Sequence, residues 1–145
     1  MKHKQLDGGQ SKTFALIFGK GDEFMQEISE FARNHKLSGS HFTAIGAFCD
    51  VTLGYFDRDQ KQYKEILLHE QVEVLSLVGD VALKDGAPKV HAHVVVGKSD
   101  GTAHGGHLLR AHVWPTLEVV LAESPEHLRR MSDDETGLAL IQVQP

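Results

Sequence analysis

The stretch His91-Ala92-His93-Val94-Val95-Val96, then Ser99-Asp100-Gly101, then Ala103-His104-Gly105-Gly106-His107 decides the fold assignment. Two strand-like runs separated by a short glycine-containing turn predict a β-hairpin. Histidines are concentrated here, because five of the ten in the 145-residue chain lie between residues 91 and 112. We infer that this clustering serves a shared purpose. The five are His91, His93, His104, His107 and His112.

The register of this hairpin decides which histidines share a face of the sheet. His91 and His93 are two residues apart on one strand, so their side chains point to the same side. If residues 99–101 form a three-residue loop with Gly101 in the left-handed conformation, a common hairpin type, His107 lies opposite His93. Three imidazoles then converge on one face.

Other loop lengths remain open at this point. A five-residue loop keeps the same parity and puts His107 opposite His91, whereas a two-residue turn at Asp100-Gly101 moves His104 onto the shared face instead. We favour the three-residue loop. Gly105-Gly106 then removes side-chain bulk beside His107 and leaves space for a close approach of backbone, metal or ligand.

Three neutral imidazoles with one further position free make a good zinc site. The predicted ligands are therefore His91, His93 and His107, and similar ligand sets also take iron, nickel or copper. The simpler alternative is a polar surface or cleft without metal. If a metal binds, its affinity is expected to fall as pH drops through the region near the ordinary histidine pKa of about 6.5. Three carboxylates are candidate partners for ring N–H groups: Asp80, Glu73 and Glu118.

The rest of the chain predicts an α+β fold with a largely antiparallel β-sheet and one main α-helix. Residues 13–18 read as a strand, and Asp22 as the cap of a helix whose apolar side chains recur at helical spacing from Phe24. Later segments read mostly as strands, over 42–56, 63–83, 90–96, 102–113, 116–122 and 138–143, with a bend or bulge near Gly79. Ser124-Pro125 predicts the start of a short helix.

Composition and charge narrow the function classes. The formal net charge is −5, which argues against nucleic-acid binding through the body of the domain, because phosphate affinity comes mainly from Lys and Arg. We expect no membrane span and a cytoplasmic location. The single cysteine, Cys49, cannot form an internal disulfide and is expected to be a small core residue.

Several motifs, in their order and spacing, resemble the plants-and-prokaryotes-conserved (PPC) domain family, in its prokaryotic stand-alone form. The resemblance covers roughly residues 13–143. It implies a PPC-domain-like fold over residues 13–145, a homotrimer, and metal ligation by the same three histidines. Residues 1–12, which are polar and contain glycine, are expected to form a flexible segment before this domain. The similar motifs are residues 18–23, 44–47, 54–57 and 73–79, and His91-Ala92-His93 with Gly105-Gly106-His107-Leu108.

The resemblance also brings DNA binding into consideration. Prokaryotic members are commonly named DNA-binding proteins by analogy with plant members, which carry a separate Arg-Gly-Arg-Pro-like AT-hook. This sequence has no such segment, and its Arg129-Arg130 pair is expected in a helix without flanking Gly and Pro.

Three functions are therefore weighed. The leading hypothesis is a metal-binding homotrimer that acts as a binding or regulatory module. The alternatives are a DNA-associated regulator and a small metal-dependent enzyme, in which Glu73, His104 or His112 would serve as the base. A catalytic motif such as His-Glu-x-x-His is absent from the sequence.

Overall fold

The structure, a computed structural model, describes residues 1–5 and 12–143. One helix and nine strands are formed in these residues. They are β1 (Lys2–Gln5), β2 (Lys12–Gly19), α1 (Phe24–Asn34), β3 (Gly39–Asp57), β4 (Gln62–Leu68), β5 (Val72–Lys84), β6 (Ala87–Gly97), β7 (Ala103–Glu123), β8 (Arg129–Ser132) and β9 (Ala139–Gln142). Most of the pairing is antiparallel, which fits the α+β class with a minor helical part.

The strands form one nine-stranded sheet with the path β1-β2-β7-β3-β5-β8-β9. Strand β6 pairs with both β5 and β7, and both of these pair with β3. Four strands therefore close into a ring, in which β7 is long enough to contact β2, β3 and β6 in turn. This closure brings the start of β7 beside β6, where the histidines lie.

Helix α1 packs against the buried face of the sheet. Phe24, Ile28, Phe31 and Ala32 recur at helical spacing and are all buried, so the helix presents one apolar stripe to the sheet. It packs against β6 and β7. On β6, Ala92, Val94 and Val96 are buried while the alternate side chains are not, so the histidines of β6 face away from the core.

The start of this helix differs from the prediction. Glu23, not Asp22, is the N-cap, and its carboxylate accepts hydrogen bonds from the backbone N–H groups of Met25 and Gln26. Asp22 instead accepts from the N–H of Gly19 and lies 3.0 Å from the N-terminal ammonium of Met1. Two adjacent carboxylates could each serve as the cap, and the turn before the helix selects the second.

The segment after β7 also differs. No helix starts at Ser124; the Ser124 Oγ accepts from the N–H of Glu126 in a local turn, and Arg129 and Arg130 lie in strand β8. The expected bulge at Gly79 is absent from the pairing of β5 with β6, which is irregular between Val74 and Ser76 instead.

Two further expectations concern Cys49 and the N-terminal segment 1–12. Cys49 is exposed rather than in the core, because it points outward from β3. Half of the predicted flexible segment 1–12, residues 6–11, lies outside the described residues, while Lys2–Gln5 pairs with β2. Within the described part of the chain, no helix combines the length and the apolar character needed to cross a membrane.

Candidate metal centre

The hairpin of β6 and β7 positions the histidines. The N–H of Lys98 donates to the carbonyl of Thr102, so residues 99–101 form a three-residue loop. Gly101 has φ +81°, the left-handed conformation that glycine adopts without strain. His93 consequently pairs with His107. This is the register that the three-residue loop predicts.

Three imidazoles come together on the outer face of the ring. One ligand atom from each of His91, His93 and His107 lies within 4.8 Å of the other two. The Nε2 atoms of His91 and His93 are 3.2 Å apart. Nitrogen ligands at about 2.0–2.1 Å from a tetrahedral zinc ion are separated by about 3.3 Å. The donor set and its spacing therefore fit a divalent metal.

The ring of His107 is held in an environment that favours its neutral form. It stacks on Tyr63 of β4, with ring centroids 4.5 Å apart. Burial, followed by repulsion from His91, His93 and Lys89, lowers the pKa of His107 to about 4. A metal ligand must be a neutral imidazole, so this ring is ready to bind without first losing a proton.

One atom of this ring has no partner within the protein. The Nδ1 atom of His107 is buried and forms no hydrogen bond in the described structure. A buried polar atom without a partner is costly. The His107 ring lies 5.0 and 5.5 Å, centroid to centroid, from the rings of His91 and His93, and a half-buried ring at this position fits a ligand set better than it fits a wet polar surface.

Two charged side chains, Arg130 and Asp80, lie beside the Nδ1 atom of His91. Burial, then the charge of Arg130, lowers its pKa, while Asp80 opposes this change and His93 and Lys89 add to it. The Asp80 carboxylate lies 4.0 Å from the Nδ1 atom of His91. Of the three predicted carboxylate partners, Asp80 is the one beside the histidines, whereas Glu73 and Glu118 line a separate groove with Leu75.

The other clustered histidines stand apart. His104 of β7 pairs with Val96 of β6, and its odd separation from His107 directs it to the other face of the strand. The Nδ1 atom of His112 lies within hydrogen-bonding distance of the Asp50 carboxylate, at 2.9 Å, on a different part of β7. Neither belongs to the three-histidine group.

The glycines beside His107 have a structural role. A Cβ at Gly106 would lie 2.8 Å from the carbonyl oxygen of Gly54, and one at Gly105 would lie 3.1 Å from the carbonyl oxygen of Val94. The sequence left open whether these glycines make room for backbone, metal or ligand. In the structure they permit a close approach of backbone to backbone. This approach brings β7 near both of its neighbouring strands and fixes the position of His107.

Sequence reasoning missed two residues of this site, Tyr63 and Arg130. Tyr63 lies on a strand whose partner is β3, and nothing near it in the sequence points to a histidine at 107. Arg130 was expected in a helix, whereas the strand β8 directs its guanidinium to Asp80. Both contacts join residues far apart in sequence, so no local pattern signals them.

Comparison with known proteins assigns the family. Residues 5–125 match the family model described as the Plants and Prokaryotes Conserved (PCC) domain. The chain belongs to this family. Its expected PPC-type fold is also that of a plant- and prokaryote-conserved (PPC) protein from Pyrococcus horikoshii, which is 32% identical with a TM-score of 0.85, over 99% of this chain and 96% of that one.

Other relatives of this PPC-domain chain carry different descriptions. A metal-containing protein from Archaeoglobus fulgidus is 37% identical, with a TM-score of 0.82 over 99% of this chain and all of that one (100%). A candidate DNA-binding protein from Ralstonia eutropha JMP134 is 27% identical, with a TM-score of 0.84 over 90% of this chain and 91% of that one.

A relative of a third kind is much longer. The bifunctional protein GlmU of Synechococcus sp. (strain JA-2-3B'a(2-13)) is 34% identical over 94% of this PPC-domain chain. The match covers only 21% of GlmU. The chain thus spans about a fifth of the length of this curated relative.

Proposed function

We propose that this PPC-domain protein binds one divalent metal ion per chain, with His91, His93 and His107 as ligands and zinc as the metal. The main evidence for this proposal is the convergence of three ligand atoms within 4.8 Å of one another. The unpartnered buried nitrogen of His107 and the metal-containing relative from Archaeoglobus fulgidus support it. Bound zinc would supply a Lewis-acidic centre with one coordination position left for an outside ligand.

The chain's own residues prepare this site. Strand pairing holds the backbone of all three ligands, since His93 pairs with His107 across the β6–β7 hairpin and His91 pairs with Asp80 of β5. Tyr63 holds one face of the His107 ring, and burial keeps His107 and His91 neutral. The site is open to solvent on the side of His93, which is exposed. An outside molecule could therefore reach the ligands.

The experiment is a metal analysis of protein purified without metal-affinity resin, followed by zinc titration of the stripped protein. About one zinc per chain, lost in His107→Ala, is the expected result. Protein that carries no metal and gives no saturable zinc binding would exclude the metal function.

We also propose a homotrimer, supported by an apolar face of the sheet. The rows Ile17–Glu118–Ile45 and Val120–Thr43–Val78 run across neighbouring strands in direct register, so their side chains share one face. Four of these are exposed large apolar residues, with Ile45 at 61% and Val120 at 53%. A patch of this kind is typical of a protein–protein contact.

The metal site borders this face. His93 pairs with Val78, so its side chain is on the same side of the sheet as the apolar row. Assembly through the face would enclose the metal site next to a subunit boundary. In this proposal the trimer is a binding or regulatory module whose metal-centred cleft receives a partner or small molecule.

DNA binding is the second candidate function, and the description of the Ralstonia eutropha relative favours it. The chain's net charge of −5 opposes it. A binding assay with duplex DNA at several salt concentrations separates the two, because phosphate contacts make affinity fall steeply with salt.

A further inference from the structure

The C-terminal hairpin of β8 and β9 follows the end of the family match at residue 125. Its attachment to the sheet is short. Strand β8 pairs in parallel with β5 only at Leu83 and Lys84, and the N–H of Leu83 donates to the carbonyl of Leu128 just before the strand. A side chain that ties this hairpin to the body of the protein therefore matters to its order.

Arg130 is that side chain. It is the one charged residue among the buried residues of the described chain, at 7% exposure. One guanidinium nitrogen donates to the carbonyl of Ala139 across the hairpin at 2.8 Å, and another donates to the Asp80 carboxylate at 2.5 Å. A buried guanidinium needs such partners. The hairpin is thus fastened to Asp80, the carboxylate beside the histidines.

Arg130 also contacts a histidine of the proposed metal site. The same nitrogen that binds Asp80 lies 3.4 Å from the Nδ1 atom of His91. A guanidinium has only donors, so this Nδ1 must be an acceptor. The neutral ring of His91 then carries its proton on Nε2, which faces the Nε2 of His93 at 3.2 Å.

Metal binding through that Nε2 requires the other tautomer of His91. The proton must then be on Nδ1, where it can no longer accept from Arg130 and needs an acceptor of its own. The second Asp80 oxygen lies 4.0 Å from this nitrogen. A small movement would make the carboxylate–histidine pair that orients ligands in many metal sites.

We propose that Arg130 is a positioning residue that holds Asp80 as the acceptor for His91, and that it thereby couples metal binding to the order of the β8–β9 hairpin. The inference rests on the proposed metal site. It adds to that site a residue, Arg130, that lies beyond residues 5–125, the part of the chain that matches the family model. Zinc binding breaks the Arg130–His91 contact and forms the Asp80–His91 pair, and in this proposal the gain exceeds the loss. By linkage, the hairpin then strengthens metal binding and the metal strengthens the hairpin to the same extent.

The first test is zinc affinity, measured by competition with a chromophoric chelator. Arg130→Lys keeps the charge but loses the planar fork that spans both partners, so affinity should fall about tenfold, as for other partners of metal ligands. Asp80→Asn should give a similar loss. Arg129→Lys is the matched control, because Arg129 is the exposed neighbour on the same strand, and its affinity should equal that of the wild-type protein.

Two readouts separate positioning from a general structural role. Nitrogen-15 NMR should show the His91 ring protonated on Nε2 without zinc and on Nδ1 with zinc. Hydrogen exchange of the β8 and β9 amides should slow on zinc binding in the wild-type protein and in Arg129→Lys, but not in Arg130→Lys.

The outcomes are distinct. If zinc binds and the exchange of the β8 and β9 amides does not change, the coupling is wrong while the metal site stands. Equal or tighter zinc binding in Arg130→Lys would also overturn it. If the wild-type protein binds no zinc, the metal site is wrong and the coupling fails with it.

Discussion

His93 lies directly opposite His107 in the antiparallel pair of β6 and β7, with ring centroids 5.5 Å apart. The partner of each ring is set by the three-residue loop at residues 99–101 and by the left-handed Gly101. A loop one residue shorter would turn every side chain of the second strand to the other face. The proposed ligand set therefore depends on the geometry of one turn.

The first prediction concerns the ligands. His107→Ala should reduce zinc affinity by at least about tenfold, because one of three ligands is lost and the remaining pair chelates weakly. His104→Ala is the matched control on the same strand and should leave affinity unchanged, since its side chain faces away. Isothermal titration of metal-stripped protein measures both. If His104→Ala were the damaging change, the ligand assignment would be wrong.

The second prediction is that one substitution raises the stability of the metal-free protein and abolishes zinc binding. His107→Phe keeps a ring that can stack on Tyr63 but removes the buried nitrogen that has no hydrogen-bond partner. The metal-free variant should be more stable to urea by about 1 kcal/mol, the lower end of the cost of such a group, and should bind no zinc. A less stable variant at neutral pH would show that the nitrogen has a partner in solution.

The third prediction is a pH dependence of the metal-free protein. The pKa of His107 is about 4 in the folded protein and about 6.5 in an unfolded chain, so the unfolded state binds more protons between these values. The stability of the folded state is therefore complete above pH 6.5 and declines as pH falls towards 4. His91, whose pKa is also lowered, acts in the same direction.

Urea unfolding at several pH values checks this, with His107→Phe as the reference. The variant should lose part of the slope between pH 6.5 and 4. Parallel curves for the two proteins would mean that His107 titrates normally.

The fourth prediction addresses assembly. Light scattering should give a trimer mass, and Val120→Glu should dissociate it, because a buried carboxylate without a partner is costly at an apolar contact. Lys64→Glu, an exposed change on β4 away from this face, should leave the trimer intact. A wild-type monomer at micromolar concentration contradicts the proposed assembly.

The fifth prediction is that generic duplex DNA is not bound tightly. The chain has 20 acidic and 15 basic residues and no AT-hook in its sequence, so its carboxylates outnumber the cations that could neutralise phosphates. Fluorescence anisotropy near physiological salt is the measurement. Nanomolar binding that weakens steeply with salt would support the DNA-binding alternative instead.

The local part of the site could be read from the sequence. Strand alternation at His91 and His93, and the turn chemistry of Gly101, act over a few residues and were enough to predict the pairing of His93 with His107. The main helix was also predictable, because its buried side chains recur at a helical period.

The non-local part could not be read in this way. The stacking of Tyr63 on His107 and the contact of Arg130 with Asp80 depend on how distant strands meet. The helix expected after Ser124 failed for a related reason. A Ser-Pro pair favours a helix start, but here the chain forms a local turn at Ser124 and its next residues pair with the end of β5.

The most direct test of the central claim is a crystal structure of protein purified without metal-affinity resin, with diffraction data on both sides of the zinc absorption edge. The account predicts one anomalous peak per chain between His91, His93 and His107, present above the edge and absent below it. Well-ordered histidine rings with no anomalous peak between them, in crystals grown with added zinc, would contradict it.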